Sequence, residues 1–189
     1  NTRGYIGRYS GAGGSSVTVS GTDTDGNAST WHNSHFLFVG YGSSGALTIA
    51  DGGKVSAGDG AGGTGTVYLG TNAAGTLNIG TVTGVADVGA GALDAAKVEF
   101  RNGDGTINFN HVGETVFSAA LVNNGSGAHA VNHLAGTTTL TGDSSNFAGT
   151  TTVSGGTLLV GDAAGNGTLG GIVNVDANGA LGGSGTLTG

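Results

Sequence analysis

The sequence of 189 residues contains no cysteine, no methionine and no proline. Without cysteine, the chain has no disulfide bonds, thiolate metal sites or cysteine nucleophiles. Without proline, and with glycines that do not recur at every third position, it cannot form a collagen-like helix. No run approaches the roughly 18 consecutive apolar residues of a membrane helix. With no initiator methionine or signal peptide, we expect a processed piece of a longer protein.

Charge is also scarce, because only 9% of the residues are charged and the formal net charge is −7. The five basic residues are scattered along the sequence: Arg3, Arg8, Lys54, Lys97 and Arg101. Such scattering predicts no basic stripe that could neutralise phosphates, so nucleic acid is not an expected partner.

Aromatic residues are few, at 6%, and they are concentrated near the N-terminus. The first 41 residues contain over half of them: Tyr5, Tyr9, Trp31, Phe36, Phe38 and Tyr41. We therefore divide the chain into residues 1–41, an aromatic-rich cap or side loop that merges into the following structure, and residues 42–189, a series of short strands.

What the sequence has in abundance is glycine, at 43 residues, between short runs in which apolar and polar residues alternate. Examples of the alternating module are Thr66-Val-Tyr-Leu69, Thr76-Leu-Asn-Ile79 and Thr106-Ile-Asn-Phe109. Side chains alternate between the two faces of a strand, so each module predicts one strand with two inward apolar residues. No run predicts a long helix, and the chain is therefore predicted to be all-β.

The spacing of the runs allows two architectures. Ser154-Gly155 could be a two-residue turn that pairs Thr150–Val153 with Gly156–Val160 as an antiparallel hairpin. A parallel solenoid with coils of about 20 residues is the alternative. The recurrence of one module favours the solenoid, since stacked coils bury a continuous core. Glycines such as those in Gly62–Gly65 would form its corners.

The segment 137–189 resembles the passenger domains of bacterial type V autotransporters. The likeness is carried by Thr141-Gly-Asp-Ser-Ser-Asn-Phe-Ala-Gly149, Thr150-Thr-Thr-Val-Ser-Gly-Gly-Thr-Leu-Leu-Val160 and Gly179-Ala-Leu-Gly-Gly-Ser-Gly185, which together are similar to the passenger-associated transport repeat. Weaker likeness is found at Val39–Ile49 and Leu69–Ile79.

This resemblance implies a right-handed parallel β-helix, secreted or exposed at the bacterial outer membrane. It implies a partner outside this chain, the C-terminal β-barrel translocator, and a role for C-terminal coils in folding during translocation. Functions in the family include adhesion, aggregation, proteolysis and ester hydrolysis. Expected partners are a host-cell surface protein or glycan, or a second copy of the protein.

Candidate contact residues lie in the aromatic N-terminal region: Trp31, His32, His35 and Tyr41. Exposed aromatic residues are frequent binding anchors, which makes Trp31 the leading candidate. The same aromatic residues could equally form a hydrophobic cap over the first coil, and both interpretations stay open.

No cofactor is predicted. Asp23, Asp25 and Asn27 place oxygen atoms at alternate positions, as in the start of a calcium loop, but Ser34 replaces the closing glutamate, so a polar turn is favoured. His129 and His133 would lie roughly 13 Å apart on a strand, too far to share a metal ion. No serine lies in a Gly-x-Ser-x-Gly nucleophile motif.

We predict a non-catalytic β-helical stalk or adhesive segment of an autotransporter passenger. The alternatives are a polysaccharide-acting enzyme on a β-helix and an ice-binding solenoid with threonine ladders. The repeat region also predicts core residues Leu140, Val153, Leu158 and Val160.

Overall fold

The structure, a computed structural model, describes residues 2–11, 13–58, 64–82, 84 and 86–189. In these ranges the chain forms twenty β-strands and no α-helix. All pairings between these strands are parallel. The described part of the chain thus contains no helix that could cross a bilayer. The molecule is a parallel β-helix, as the sequence predicted.

Strands that lie one coil apart stack into sheets, which form the faces of the β-helix. Face A consists of β1 (Arg3–Ile6), β4 (Phe36–Val39), β7 (Thr66–Leu69), β10 (Lys97–Phe100) and β12 (Ala120–Asn123). Face B consists of β2 (Ser15–Ser20), β5 (Gly45–Ala50), β8 (Gly75–Gly80), β11 (Gly105–Phe117), β13 (His129–Leu140), β15 (Thr150–Val153), β16 (Gly156–Val160), β18 (Ile172–Val175) and β19 (Gly179–Gly182). Face C consists of β3 (Thr30–Asn33), β6 (Lys54–Ala57) and β9 (Ala92–Asp94). A fourth, small sheet contains β14 (Asp143–Ser144), β17 (Thr168–Leu169) and β20 (Thr186–Leu187).

The coils become shorter toward the C-terminus, as the residue numbers of paired positions on face B show. Gly45 pairs with Gly75, and Gly75 pairs with Gly105, so the early coils are long and equal. Thr150 pairs with Ala130 and with Ile172, so the coils on either side of it are about one third shorter. The coil length that the sequence predicted therefore applies to the C-terminal half, whereas the earlier coils are longer.

The core consists of inward side chains stacked in columns. On face A one column contains Leu37, Val67, Val98 and Leu121, all fully buried. On face B a parallel column contains Leu47, Leu77, Ile107 and Val131. Each strand buries little apolar area by itself, so the stacking of coils supplies the stability.

One corner requires glycine for a steric reason. Gly7, Gly40 and Gly70 follow β1, β4 and β7, and their φ angles are 72°, 79° and 69°. A Cβ on Gly40 would lie 2.4 Å from the carbonyl oxygen of Ala74. Arg101 occupies the corresponding position after β10. Both the positive φ and the close approach of the next coil thus favour glycine at this corner.

An amide column runs along the outer side of face B. Asn108 Nδ2 donates to Asn78 Oδ1 (2.8 Å), and Asn132 Nδ2 donates to Asn108 Oδ1 (2.9 Å). Asn78 Nδ2 in turn donates to Thr48 Oγ1 (3.2 Å). These hydrogen bonds link four successive coils through side chains, in addition to the backbone bonds of the sheet.

The structure settles two further predictions from the repeat region. The hairpin alternative is wrong, because β15 and β16 pair in parallel with β13 and not with each other. The core assignment is confirmed, because Leu140, Val153, Leu158 and Val160 are all at most 3% exposed. Of the predicted corner Gly62–Gly65, residues 62 and 63 lie outside the described residues.

Candidate binding surface

Three aromatic rings form a stack on the outer side of face A, which we call the aromatic ladder: Tyr5, Phe38 and Tyr68. On β1, β4 and β7 the residues next to these rings are buried. Because side chains alternate between the two faces of a strand, the rings point outward. Because the three positions are register partners, the rings stack with centroids 4.8 Å apart at both steps. The interplanar angles are 5° and 23°.

Two more rings widen the ladder. Phe36 lies 5.4 Å from Tyr68, and Tyr41 contacts both Tyr5 and Phe38 edge-on at 5.4 and 5.3 Å. Edge-to-face and offset contacts of this kind add to the stability gained from buried area. The side chains stay partly open to solvent, so this aromatic group covers the outside of the β-helix and not its core.

Guanidinium groups lie against this aromatic surface. Arg8 Cζ is 5.0 Å from the centroid of Tyr5, and Arg101 Cζ is 5.3 Å from that of Tyr68. Arg3 lies 6.0 Å from Phe36. These distances fall within the range of cation–π attraction. We call the eight residues the aromatic–arginine strip: Tyr5, Phe36, Phe38, Tyr41, Tyr68, Arg3, Arg8 and Arg101.

The basic residues are scattered along the sequence, but in the structure most of them lie together, so the predicted scattering is wrong. Arg3, Arg8, Lys97 and Arg101 all belong to face A or to the turns that follow its strands, and Lys54 alone lies on face C. The sequence separates these residues by whole coils, and the register of the β-helix brings them together.

Glu99 is the carboxylate beside the strip, and it is paired. Lys97 Nζ lies 2.7 Å from Glu99 Oε2, Arg101 bonds Glu99 Oε1, and Asn124 Nδ2 donates to the same oxygen at 2.9 Å. Burial by itself raises the pKa of Glu99, but the hydrogen bonds from Lys97, Asn124 and Arg101 outweigh it. The pKa is lowered as a result, and the carboxylate stays ionised at neutral pH.

The predicted contact residues do not form one site. Trp31 is half-buried and packs against the core, and a Cβ on Gly4 would lie 2.9 Å from its ring. His32 is exposed on face C, and His35 lies edge-on to Phe36 at the start of face A. Of the four residues, Tyr41 is the one within the strip. Trp31 is the register partner of the buried Val55, so its side chain is on the inward side of face C.

A row of polar residues crosses face C. His32, Ser56 and Asp94 are register partners on β3, β6 and β9, and His32 Nδ1 lies 2.6 Å from Ser56 Oγ. In a serine-protease triad the histidine stands between the serine and the carboxylate. Here the serine occupies the middle strand, so the aspartate is placed next to the serine rather than the imidazole.

The acidic loop weighed as a calcium site is held together by its own hydrogen bonds. Asp23 Oδ1 accepts from the backbone N–H groups of Asp25 and Asn27, and Asp23 Oδ2 accepts from Asn27 Nδ2. These hydrogen bonds lower the pKa of Asp23. The loop Asp162–Asn166 repeats the Asp-x-x-Gly-Asn pattern and the same bonds. Within the described ranges, no three acidic or histidine side chains converge on a common metal position.

Two buried histidines share one hydroxyl group. Nε2 of His111 and Nε2 of His133 lie 2.9 and 3.2 Å from Thr138 Oγ1. Nδ1 of His133 lies 2.8 Å from the carbonyl oxygen of Gly155, to which it donates. Burial lowers the pKa of both histidines, and the charge of His111 adds to the effect on His133. His129 instead contacts Asn123 and the carbonyl oxygen of Arg101, so it does not join this pair.

The ladder residues were missed in the sequence, although a signal for them exists. An aromatic residue, an aliphatic residue and glycine recur as Tyr5-Ile-Gly7, Phe38-Val-Gly40 and Tyr68-Leu-Gly70. Each glycine marks the same corner, so the aromatic residue two positions earlier must lie in one outward column. Aligning the modules on the corner glycines would have found the ladder.

Comparison with known proteins finds an adhesin. The chain is 42% identical over 102 residues to the adhesin BmaC autotransporter of Brucella suis biovar 1 (strain 1330). The match covers 53% of this chain but 3% of that protein. No family model matches the chain, so the transport repeat at 137–189 stays a prediction. No solved structure matches it either. The chain is therefore similar to a small part of an autotransporter adhesin.

Proposed function

We propose that this chain is a non-catalytic, adhesive segment of an autotransporter passenger, exposed at the bacterial surface or secreted. The observation that carries the proposal is the similarity to an autotransporter adhesin over half of the chain, in a molecule built as a parallel β-helix. Stacked coils make a stiff scaffold, because each coil is bonded along its length to both neighbours.

Face A is the proposed adhesive surface. It combines exposed or half-exposed aromatic rings with arginine side chains, and these residue types are enriched at binding hot spots. The C-terminal coils carry a different role in this proposal. Their short, regular repeats would fold first outside the cell and so aid translocation.

Adhesion can be tested with beads coated with the folded chain and applied to cultured epithelial cells. We expect folded chain to attach beads and heat-unfolded chain to attach few. Tyr41→Ala removes an exposed ring from face A without touching the core. Val116→Ala is the matched control, since Val116 is an exposed apolar residue on face B.

The proposal predicts weaker attachment for Tyr41→Ala and unchanged attachment for Val116→Ala. Equal attachment of beads with folded chain and beads with albumin would overturn the adhesive role. Turnover of an ester or polysaccharide substrate that is lost in Ser56→Ala would overturn the non-catalytic assignment and support an enzyme using face C.

A further inference from the structure

We propose that the aromatic–arginine strip is a binding site for a linear anionic polysaccharide, one that carries carboxylate or sulfate groups. This inference rests on the proposed adhesive function and names the ligand class of the same surface. The charge of face A, the orientation of its rings and its shape support this ligand class.

The charge of face A is opposite to that of the molecule. Four cationic side chains, Arg3, Arg8, Lys97 and Arg101, lie on its strands or just after them, and its strands carry a single carboxylate, Glu99. The turns after these strands add one more carboxylate, Asp104, so four cations stand against two carboxylates on this face, whereas the whole chain carries −7. The positive surface of face A attracts anions, and the acidic remainder of the protein repels them. An anionic ligand is therefore directed to this face.

The arginine side chains of the strip are suited to bind the carboxylate or sulfate groups of the proposed ligand. A guanidinium presents its N–H donors in a planar fork that matches a carboxylate or sulfate. Arg8 is exposed and lies against the rings of Tyr5 and Tyr9, and among the described residues it forms no salt bridge. Its donors are therefore not used by a carboxylate of the described chain. Cation–π contacts hold the group in place and leave its edge open to a ligand.

The orientation of the rings narrows the ligand class. The faces of Tyr5, Phe38 and Tyr68 are turned toward each other at 4.8 Å, so the middle ring has no free face. Aromatic faces are what single-stranded nucleic acids stack upon. The ladder presents ring edges outward, and ring edges carry partial positive charge. Edges and guanidinium groups together favour anionic oxygen atoms over nucleobases.

The shape of the surface favours an extended polymer. The ladder runs along the β-helix axis, and its outer rings lie roughly 10 Å apart, two coil steps. Arg8 lies against the first ring and Arg101 against the third. A linear polysaccharide that repeats its anionic group can meet both ends of this strip at once. Such repeated contacts raise affinity through effective concentration.

The test uses the purified chain with three probes: heparin, polygalacturonate and neutral dextran. We expect heparin or polygalacturonate to bind, with an affinity that falls as salt is added, because exposed charges are screened. We expect no binding of dextran. Equal binding of dextran, or binding that ignores salt, would overturn the proposal.

The variant Arg3→Gln/Arg8→Gln removes two cations from the strip and leaves the Glu99 network intact. We expect about tenfold weaker binding of the anionic probe, from two exposed charge contacts. Lys54→Gln is the matched control, because it removes an exposed cation from face C. Equal losses in both variants would show a non-specific charge effect and overturn the proposed site. Circular dichroism confirms that each variant is folded.

The polysaccharide-binding test and the adhesion test can fail independently. Beads that attach to cells but bind none of the anionic polysaccharides would overturn this inference and leave the adhesive function standing. Attachment that survives enzymatic removal of cell-surface glycans but is lost after protease treatment would identify a protein partner instead. Binding of single-stranded DNA in preference to heparin would identify nucleic acid as the ligand and overturn the argument from ring edges.

Discussion

The N-terminal coils and the C-terminal coils use the same interior but different exteriors. In both, inward aliphatic residues stack in columns, such as Leu37 with Val67 and Leu140 with Val160. The outer column of face A carries Tyr5, Phe38 and Tyr68. The outer positions of the C-terminal strands carry residues such as Thr150 and Thr152, without a single ring. The alternation of inward and outward residues therefore fixes the β-helix and leaves the outer column free to vary.

The lengths of the coils differ in the same direction. Loops between strands lengthen the early coils, while the C-terminal coils consist mostly of their strands and tight corners. The short coils leave little chain outside the strands, which suits a region that folds readily because its contacts are local.

Leu158→Asp tests the shared interior in the C-terminal half. Leu158 is fully buried and pairs with Thr138 and Leu181, so an aspartate there would place an unpaired charge in the core. We expect failure to refold, measured by circular dichroism after dilution from denaturant. Leu187→Asp is the control, since Leu187 is 51% exposed, and it should refold. Normal refolding of Leu158→Asp would contradict the core role of this column.

Gly40→Ala tests the corner of the N-terminal coils. The added Cβ would meet the Ala74 carbonyl oxygen, so the backbone of two coils must shift, at a cost of about 3 kcal/mol in the free energy of unfolding. Gly113→Ala is matched in conformation, with a φ of 77°, but its Cβ meets no atom within 4 Å. It should cost about 1 kcal/mol. Urea titrations measure the free energy of unfolding of both variants. Equal losses would show that the positive φ alone explains the preference for glycine at this corner.

Phe38→Ala tests how much the outer column of face A adds to stability. The change removes the middle ring of the ladder and its contacts with Tyr5 and Tyr68, so we expect a loss of about 2 kcal/mol. Thr152→Ala makes the corresponding change in the outer column of the C-terminal half, and it should cost less than about 1 kcal/mol. Thermal and urea unfolding give both values. A smaller loss for Phe38→Ala than for Thr152→Ala would mean that the ladder contributes nothing to stability.

The histidine pair at the junction of the two halves predicts a dependence on pH. Burial lowers the pKa of His111 and His133 below the ordinary value of 6.5, so the unfolded chain binds protons more readily than the folded one. Stability from these groups is therefore complete above pH 6.5 and decreases as the pH falls below it. Urea midpoints measured between pH 8 and pH 5 should decrease.

A double variant, His111→Gln/His133→Gln, provides the control for this dependence. It removes both titrating groups, so its stability should change less over the same pH range than that of the wild-type chain. An identical decrease in both proteins would assign the dependence to other groups, such as the carboxylates.

Much of the fold was predictable because its rules are local. The alternation in runs such as Thr76–Ile79 predicted strands and their inward residues, and the repeat at 137–189 correctly predicted four core positions. The coil length was predicted correctly only where the loops are short. The early coils are equal in length but contain loops between their strands, and a coil of strands and tight corners alone underestimates their length.

The candidate surface was predicted only in part. Tyr41 was chosen for its type and belongs to the strip, but Trp31, chosen for the same reason, packs against the core as the register partner of Val55. The type of an aromatic residue in the sequence does not reveal whether its side chain points into the core or out to solvent. Its direction depends on which residues of the strand face the core, and that depends on register.

Alternation and turn preference act over a few residues, so the sequence predicted short strands with glycine corners, and the recurrence of one module favoured a parallel solenoid over hairpins. Only the tertiary structure decided which distant residues meet. A whole coil of chain separates Tyr5 from Phe38, and another separates Phe38 from Tyr68, yet neighbouring rings lie 4.8 Å apart. The reason is that one coil of the β-helix, however long, advances the chain by a single strand spacing.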